Sequence, residues 1–238
     1  MKIALCLFGQ PRNAENLKVF ESHKEWILDK YDTDVYCHTW FKPGCLFEPS
    51  TWNNVPRTTP AENILDVLLT HYKPLRFEDE EPKEFEFDPH IVNSPRFTKF
   101  PYFNIFRNRS NVLSQFYSIQ RVAKMVEDST VKYDFIIMAR YDAIVLEFPD
   151  LRTLDPSFFY CMDHHPRFPD PFFIFGPKFL PSQRVYDNST LACKNMMETK
   201  DPNQFWEFGV ECVKYNVYLL FFPASLIRGV RIRERRNM

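Results

Sequence analysis

Arg140-Tyr141-Asp142 follows Phe135 to Ala139, a continuous apolar run that fits a strand buried on both faces. A carboxylate at such a strand end is costly unless it is solvated, paired or bound to metal. Mg²⁺ or Mn²⁺ bridging a diphosphate needs only one or two carboxylates plus phosphate oxygens, so Asp142 is a candidate ligand. The plainer alternative is an Arg140–Asp142 ion pair. Gly9-Gln10-Pro11-Arg12 follows a second apolar run, Ile3 to Phe8. Glycine lets backbone come close to a ligand, and Arg12 can pair with a phosphate. The alternative there is a strand-to-helix turn with a surface arginine. His38-Thr39-Trp40 closes a third strand-like run, Asp34 to Trp40.

Other groups carry weaker signals. Asp32-Thr33-Asp34 spells Asp-x-Asp but precedes its strand, at the amino end, so both acids are expected to be turn and strand-opening residues. Asp163-His164-His165 has metal-ligating types, yet adjacent side chains in extended chain point to opposite faces. Asp170 stands just before the apolar run Phe172 to Phe175, where a carboxylate can deprotonate an acceptor hydroxyl; a turn aspartate before Pro171 is the alternative. Glu207 and Glu211, one helical turn apart, are rival bases or an exposed helix face. Glu78-Asp79-Glu80-Glu81 is expected to be a solvated loop after a short strand. Five arginines from Arg228 to Arg236 suit phosphates, anionic lipid or an acidic partner, or form a solvated tail.

The elements that must position these groups can be read from periodicity. Residues 13–30 carry Leu17, Phe20, Trp26 and Ile27 as a helix between the first two strands, which gives a βαβ unit. Residues 61–72 form another helix behind Pro60. Residues 82–109, rich in Pro and Phe, are expected to be a long irregular excursion. Ser110 is placed as an N-cap, with Val112, Phe116, Ile119, Ala123 and Val126 at helical spacing behind it. Phe158–Met162, Phe172–Phe175 and Val217–Phe222 are further strands, and Asp201-Pro202 opens a helix. The pattern is an open mixed α/β sheet, parallel at first, with an antiparallel section towards the C-terminal half. Ligands bind such sheets beyond the carboxyl ends of the parallel strands, where the Gly9, His38 and Arg140 segments end.

Composition removes rival classes. Five glycines in 238 residues leave no GxGxxG, P-loop or GxSxG motif. A net charge of -1 argues against a dedicated nucleic-acid binder. Six cysteines contain no CxxC pair, and Cys6 and Cys37 fall in apolar strands as small hydrophobes. The first apolar run is too short for a signal segment and no run approaches a membrane span, which suggests a reducing cytoplasm. The 25 Phe belong to the core more readily than to a groove.

KIALCLFGQPR, DVYCHTW, SQFYSIQRVAKMVEDSTVKYDFIIMARYDAIV and DPFFIFG stand in that order. Together they resemble small bacterial and viral glycosyltransferase-like proteins with a GT-A-type fold, over residues 1–40 and 110–176. The resemblance implies a single GT-A-like domain: a nucleotide-sugar-binding part at 1–150, an acceptor-side part at 151–227 and a basic tail at 228–238. It places Gly9, Gln10 and Arg12 by the nucleotide, His38, Thr39 and Trp40 near its base or ribose, and Asp142 at the end of the metal-binding acidic motif. Asp170 falls where an inverting enzyme keeps its base. The implied partners are a nucleotide-diphosphate-sugar donor and a glycan or glycolipid acceptor, and the implied cofactor is Mn²⁺ or Mg²⁺. Arg140 stands where the first acid of Asp-x-Asp would be, and can itself offset diphosphate charge. The expected activity is sugar transfer to a glycan hydroxyl. A nonenzymatic binding module on the same fold, a sugar nucleotidyltransferase and an interaction protein using the basic tail are the rivals.

Overall fold

The computed structural model describes residues 1–12, 14–45, 61–85, 105–162, 172–181, 221–222 and 224–226. Strand β1 (Lys2–Gly9) leads to helix α1 (Leu17–His23), which runs on into a π-helical turn, Lys24–Leu28. Asn16 caps α1, its side-chain oxygen accepting the Lys18 N–H at 3.1 Å. Strand β2 (Asp32–Trp40), helix α2 (Ile64–Tyr72) and strand β3 (Arg76–Glu80) follow. Helix α3 (Ile105–Glu127) precedes β4 (Phe135–Arg140) and the short β5 (Ala143–Val145). A 3-10 turn, Leu151–Thr153, precedes strands β6 (Phe159–Met162), β7 (Phe172–Phe175), β8 (Phe221–Phe222) and β9 (Ala224–Leu226).

Seven strands form one open mixed sheet in the order β3-β2-β1-β4-β7-β6-β8. β3, β2, β1 and β4 are mutually parallel, and β7 runs antiparallel to both β4 and β6. The carboxyl ends of the four parallel strands therefore share one edge. Register aligns Phe8 with His38 on one side and with Arg140 on the other, and Trp40 with Glu80. The amino edge is closed separately: the Lys2 ammonium lies between Asp32 (2.8 Å) and Asp34 (2.9 Å). The Asp-x-Asp triplet is thus held by Lys2 at the end away from the carboxyl edge, as its position in the sequence implied.

Both faces are covered, which explains the unbroken apolar runs in β1 and β4. Ile3, Leu5, Leu7, Ile137 and Ile174 share one buried cluster with Ile64, Leu68 and Tyr72 of α2. Ala4, Cys6, Phe8, Met138 and Phe173 share the other with Phe116, Ile119, Val122 and Val126 of α3. Phe159 stacks between Phe173 (5.3 Å) and Phe175 (5.2 Å), and all three rings are buried in the core. Full burial of each such ring contributes about 1.5–3 kcal/mol. Burial also pushes the Cys37 thiol up to about 12, leaving it a packing residue and not a reactive one.

Two local expectations change. Helix α3 begins at Ile105, so Ser110 lies inside it; serine tolerates a helix interior, and its type alone does not mark a boundary. Glu78, Asp79 and Glu80 belong to β3 itself, because pairing with β2 supplies the ladder that their low strand preference does not.

Candidate functional site at the carboxyl edge

The edge is organised around a buried polar chain that starts at Gly9. Gly9 ends β1 with φ +99°, a conformation open to glycine, and its N–H donates to the Ser118 hydroxyl at 2.8 Å. Ser118, fully buried on α3, lies 2.8 Å from Nδ1 of His38. Nε2 of His38 lies 3.1 Å from Glu80 Oε1. Burial lowers the pKa of His38 against the pull of Glu80, so the ring is neutral at pH 7. A neutral ring fixes the roles: Ser118 donates to Nδ1, and Nε2–H donates to the carboxylate. The Glu80 carboxylate also accepts from the Tyr117 hydroxyl (2.9 Å) and Lys83 (3.0 Å). Burial alone would raise Glu80, but the bonds from Lys83, His38 and Tyr117 outweigh it and hold the carboxyl down at about 2.

On the opposite face, Tyr141 pins the strand ends together. Its hydroxyl is 2.6 Å from Thr39 Oγ1 and 3.4 Å from the His38 carbonyl oxygen. Trp40 donates its indole N–H to the Ser114 carbonyl oxygen at 3.2 Å and packs against Tyr117. His38, Thr39 and Trp40 are all buried, so in this structure they build the floor of the edge and do not line its surface.

Beyond β1 and at the end of β4 the half-exposed side chains are Gln10, Arg12 and Arg140. Arg12 Nε donates to the Gln10 side-chain oxygen at 2.8 Å, which sets the direction of its guanidinium beyond β1. Arg140 donates from Nε to one oxygen of Asp142 (3.0 Å) and from Nη2 to the other (2.6 Å). The Asp142 side chain is 8% exposed and that of Arg140 is 26% exposed. Burial of Asp142 is tolerated because this two-pronged pair satisfies both oxygens.

Two places at this edge bear on a divalent cation. His38, Glu78 and Glu80 offer three ligand atoms within 4.8 Å of one another, a group that could hold a metal ion. Charge there is already balanced: Arg121 bonds Glu78 (Nε, 3.1 Å), and Lys83 bonds Glu80. At Asp142 the donor set is one carboxylate with both oxygens engaged by its own guanidinium neighbour. That arrangement does not fit a carboxylate held ready for a metal, which needs accessible, uncompensated oxygens.

The structure thus brings Gly9, Gln10, Arg12, His38, Thr39, Trp40, Arg140 and Asp142 to one sheet edge. Asp170 lies outside the described residues, as do Asp163 to His165, Glu207, Glu211 and the arginine tail. Ser118 and Tyr117 carry no signal in the sequence, Tyr141 stands out only as part of the Arg140–Asp142 segment, and Glu80 only as part of an expected loop. One signal was present for Glu80: the alternation Glu78, Glu80 places both acids on one face of a strand. Nothing in the helical run 105–127 singles out Ser118 from its polar neighbours.

No protein-family model matches the chain, and no curated protein matches it. Among solved structures it is similar to the apo form of the glycosyltransferase GlyE of Streptococcus pneumoniae, with TM-score 0.47 and 10% identity over 92% of this chain and 45% of that one. It is similar to a glycosyltransferase involved in glycosylation of the major capsid of PBCV-1, with TM-score 0.41 and 10% identity over 92% of this chain and 80% of that one. It is also similar to an active-site mutant of LgtC, with TM-score 0.41 and 16% identity over 86% of this chain and 66% of that one. The chain spans less than half the length of the pneumococcal structure. Among the described residues, no helix is long and apolar enough to cross a membrane.

Proposed function

We propose that the chain transfers a sugar from a nucleotide-diphosphate donor to a hydroxyl of a glycan or glycolipid. The observation that carries this reading is the gathering of the Gly9 turn, Arg12 and the Arg140–Asp142 pair at the carboxyl edge of four parallel strands. That edge is where open α/β sheets take ligands, and a nucleotide diphosphate suits a close-approach glycine flanked by guanidinium groups. The reading is also supported by the sequence resemblance over residues 1–40 and 110–176.

In the proposed reaction the bond between the anomeric carbon and the β-phosphate oxygen breaks, and its electron pair leaves with the nucleoside diphosphate. The acceptor hydroxyl oxygen forms the new bond to that carbon and gives up its proton to a base. Asp170 is the proposed base, from its place before the Phe172–Phe175 strand. Guanidinium charge at Arg12 and Arg140 would offset the charge that develops on the leaving diphosphate.

Incubation with each sugar donor and a panel of glycan acceptors, followed by assay of nucleoside diphosphate release, tests the proposal. Release that requires the acceptor supports transfer. Donor binding with no release over any acceptor would assign the chain to nonenzymatic binding instead.

A further inference from the structure

We infer that the cation serving the donor diphosphate at this edge is the Arg140 guanidinium, aimed by Asp142, and that donor binding requires no divalent metal. The inference rests on the reading of the edge as a nucleotide-diphosphate site and specifies how that site handles charge.

Three observations converge. First, Arg140 ends β4 beside Phe8, level with His38 two strands away, so its side chain stands at the carboxyl edge and not along the sheet. Second, both oxygens of Asp142 are engaged by Arg140, at 3.0 and 2.6 Å, in a pair whose carboxylate is 8% exposed. A divalent ion at Asp142 would have to displace a tethered guanidinium two residues away, at high effective concentration, from a carboxylate that is nearly buried. Third, the other metal-capable group among the described residues, His38, Glu78 and Glu80, carries Arg121 and Lys83 as its counter-charges. Both places where carboxylates collect at this edge are thus neutralised by side chains of the chain itself.

The geometry gives the pair distinct parts. Asp142 holds Nε and Nη2, which fixes the plane of the guanidinium. The guanidinium is thereby an oriented, permanently charged plane of donors, which suits phosphate oxygens better than a freely rotating ammonium. Asp142 is accordingly a positioning residue, and Arg140 is the group that meets the diphosphate. Arg12, directed by Gln10 at 2.8 Å, is a second oriented guanidinium on the same edge.

The test is calorimetric titration of the full chain with UDP, GDP and dTDP, in excess EDTA and again in Mn²⁺, with the matching nucleosides as controls. Affinity for one nucleoside diphosphate is expected to be the same in both conditions, within about twofold, because no ion lies in the contact. Arg140→Lys keeps the charge but loses the fork, and should weaken the diphosphate by about tenfold while leaving the nucleoside unchanged. That selectivity separates a phosphate role from general damage. Asp142→Asn should lower the same ratio; if it fails to fold, Arg140→Lys still decides the matter. Nucleoside diphosphate binding that appears only in Mn²⁺ would overturn the inference and leave the proposed function standing. Equal loss of nucleoside and diphosphate in Arg140→Lys would also overturn it. No binding of any nucleoside diphosphate in either condition would overturn both the inference and the proposed function.

Discussion

The Ser118 hydroxyl accepts the Gly9 N–H at 2.8 Å and, on its other side, donates to Nδ1 of His38 at 2.8 Å. One buried oxygen on α3 thereby sets the turn after β1 and the protonation pattern of β2. Removing it leaves a backbone N–H and an imidazole nitrogen without this partner in a dry place. Ser118→Ala is expected to cost about 1–3 kcal/mol in urea unfolding. Donor affinity should fall as well, because the turn that Gly9 makes is no longer held. Wild-type stability in the variant would show that the two contacts contribute nothing.

Glycine is required at two positions for different reasons, and alanine substitution separates them. At Gly9 a Cβ meets nothing within 4 Å, so the cost is backbone conformation alone, about 1–3 kcal/mol. At Gly176 a Cβ would stand 2.2 Å from the Pro156 carbonyl oxygen, which forces the backbone to move. Gly176→Ala should therefore lose more stability than Gly9→Ala, while Gly9→Ala should lose more donor affinity. Thermal unfolding with donor titration checks both orders.

His23 gives a pH signature independent of the candidate site. It is fully buried between the Tyr72 hydroxyl (3.0 Å) and the Ala143 carbonyl oxygen (2.9 Å), so Nε2 carries the proton. Burial pushes its pKa from 6.5 to about 4. Between those values the unfolded chain binds the proton and the folded chain does not. The stabilisation is therefore complete above about pH 6.5 and is lost as pH falls towards 4. The loss is about 3 kcal/mol. His23→Gln should flatten that part of the stability curve. His38 shifts in the same direction and will leave a residual slope. An unchanged curve would contradict the assignment.

Asp32 provides the control for the Asp-x-Asp triplet. Its side chain is 72% exposed and pairs with Lys2 at the amino edge. Asp32→Asn should change stability by less than about 1 kcal/mol and leave donor binding intact. Loss of donor binding in this variant would move the site to the wrong end of the sheet.

The parts that are legible from sequence follow one rule. Ile3–Phe8 and Phe135–Ala139 read as buried strands because both faces are covered, which makes the run continuous. Strand ends then nominate Gly9, His38 and Arg140 without further information, and register brings those ends to one edge. What the sequence does not reveal is who meets whom across the chain. Ser118 is 109 residues from Gly9 and 80 from His38, and only the packing of α3 on β1 and β2 joins them. The acidic run follows a related rule: composition favours a loop, while the neighbour β2, the cation Lys83 and the hydroxyl of Tyr117 make Glu80 a structured strand residue. Arg140–Asp142 leaves two readings open in the sequence, and in the structure the two side chains form a two-pronged ion pair.

The most direct test of the account is a thermal-shift panel of UDP, GDP, dTDP and CMP sugars, each with and without a glycan acceptor. A donor at 100 times its dissociation constant adds about 2.7 kcal/mol of apparent stability, enough to move the transition visibly. A selective shift from one nucleotide-diphosphate sugar is predicted, with the stabilisation cut to about half in Arg140→Lys at the same donor concentration. No shift from any donor, with or without acceptor, would contradict it.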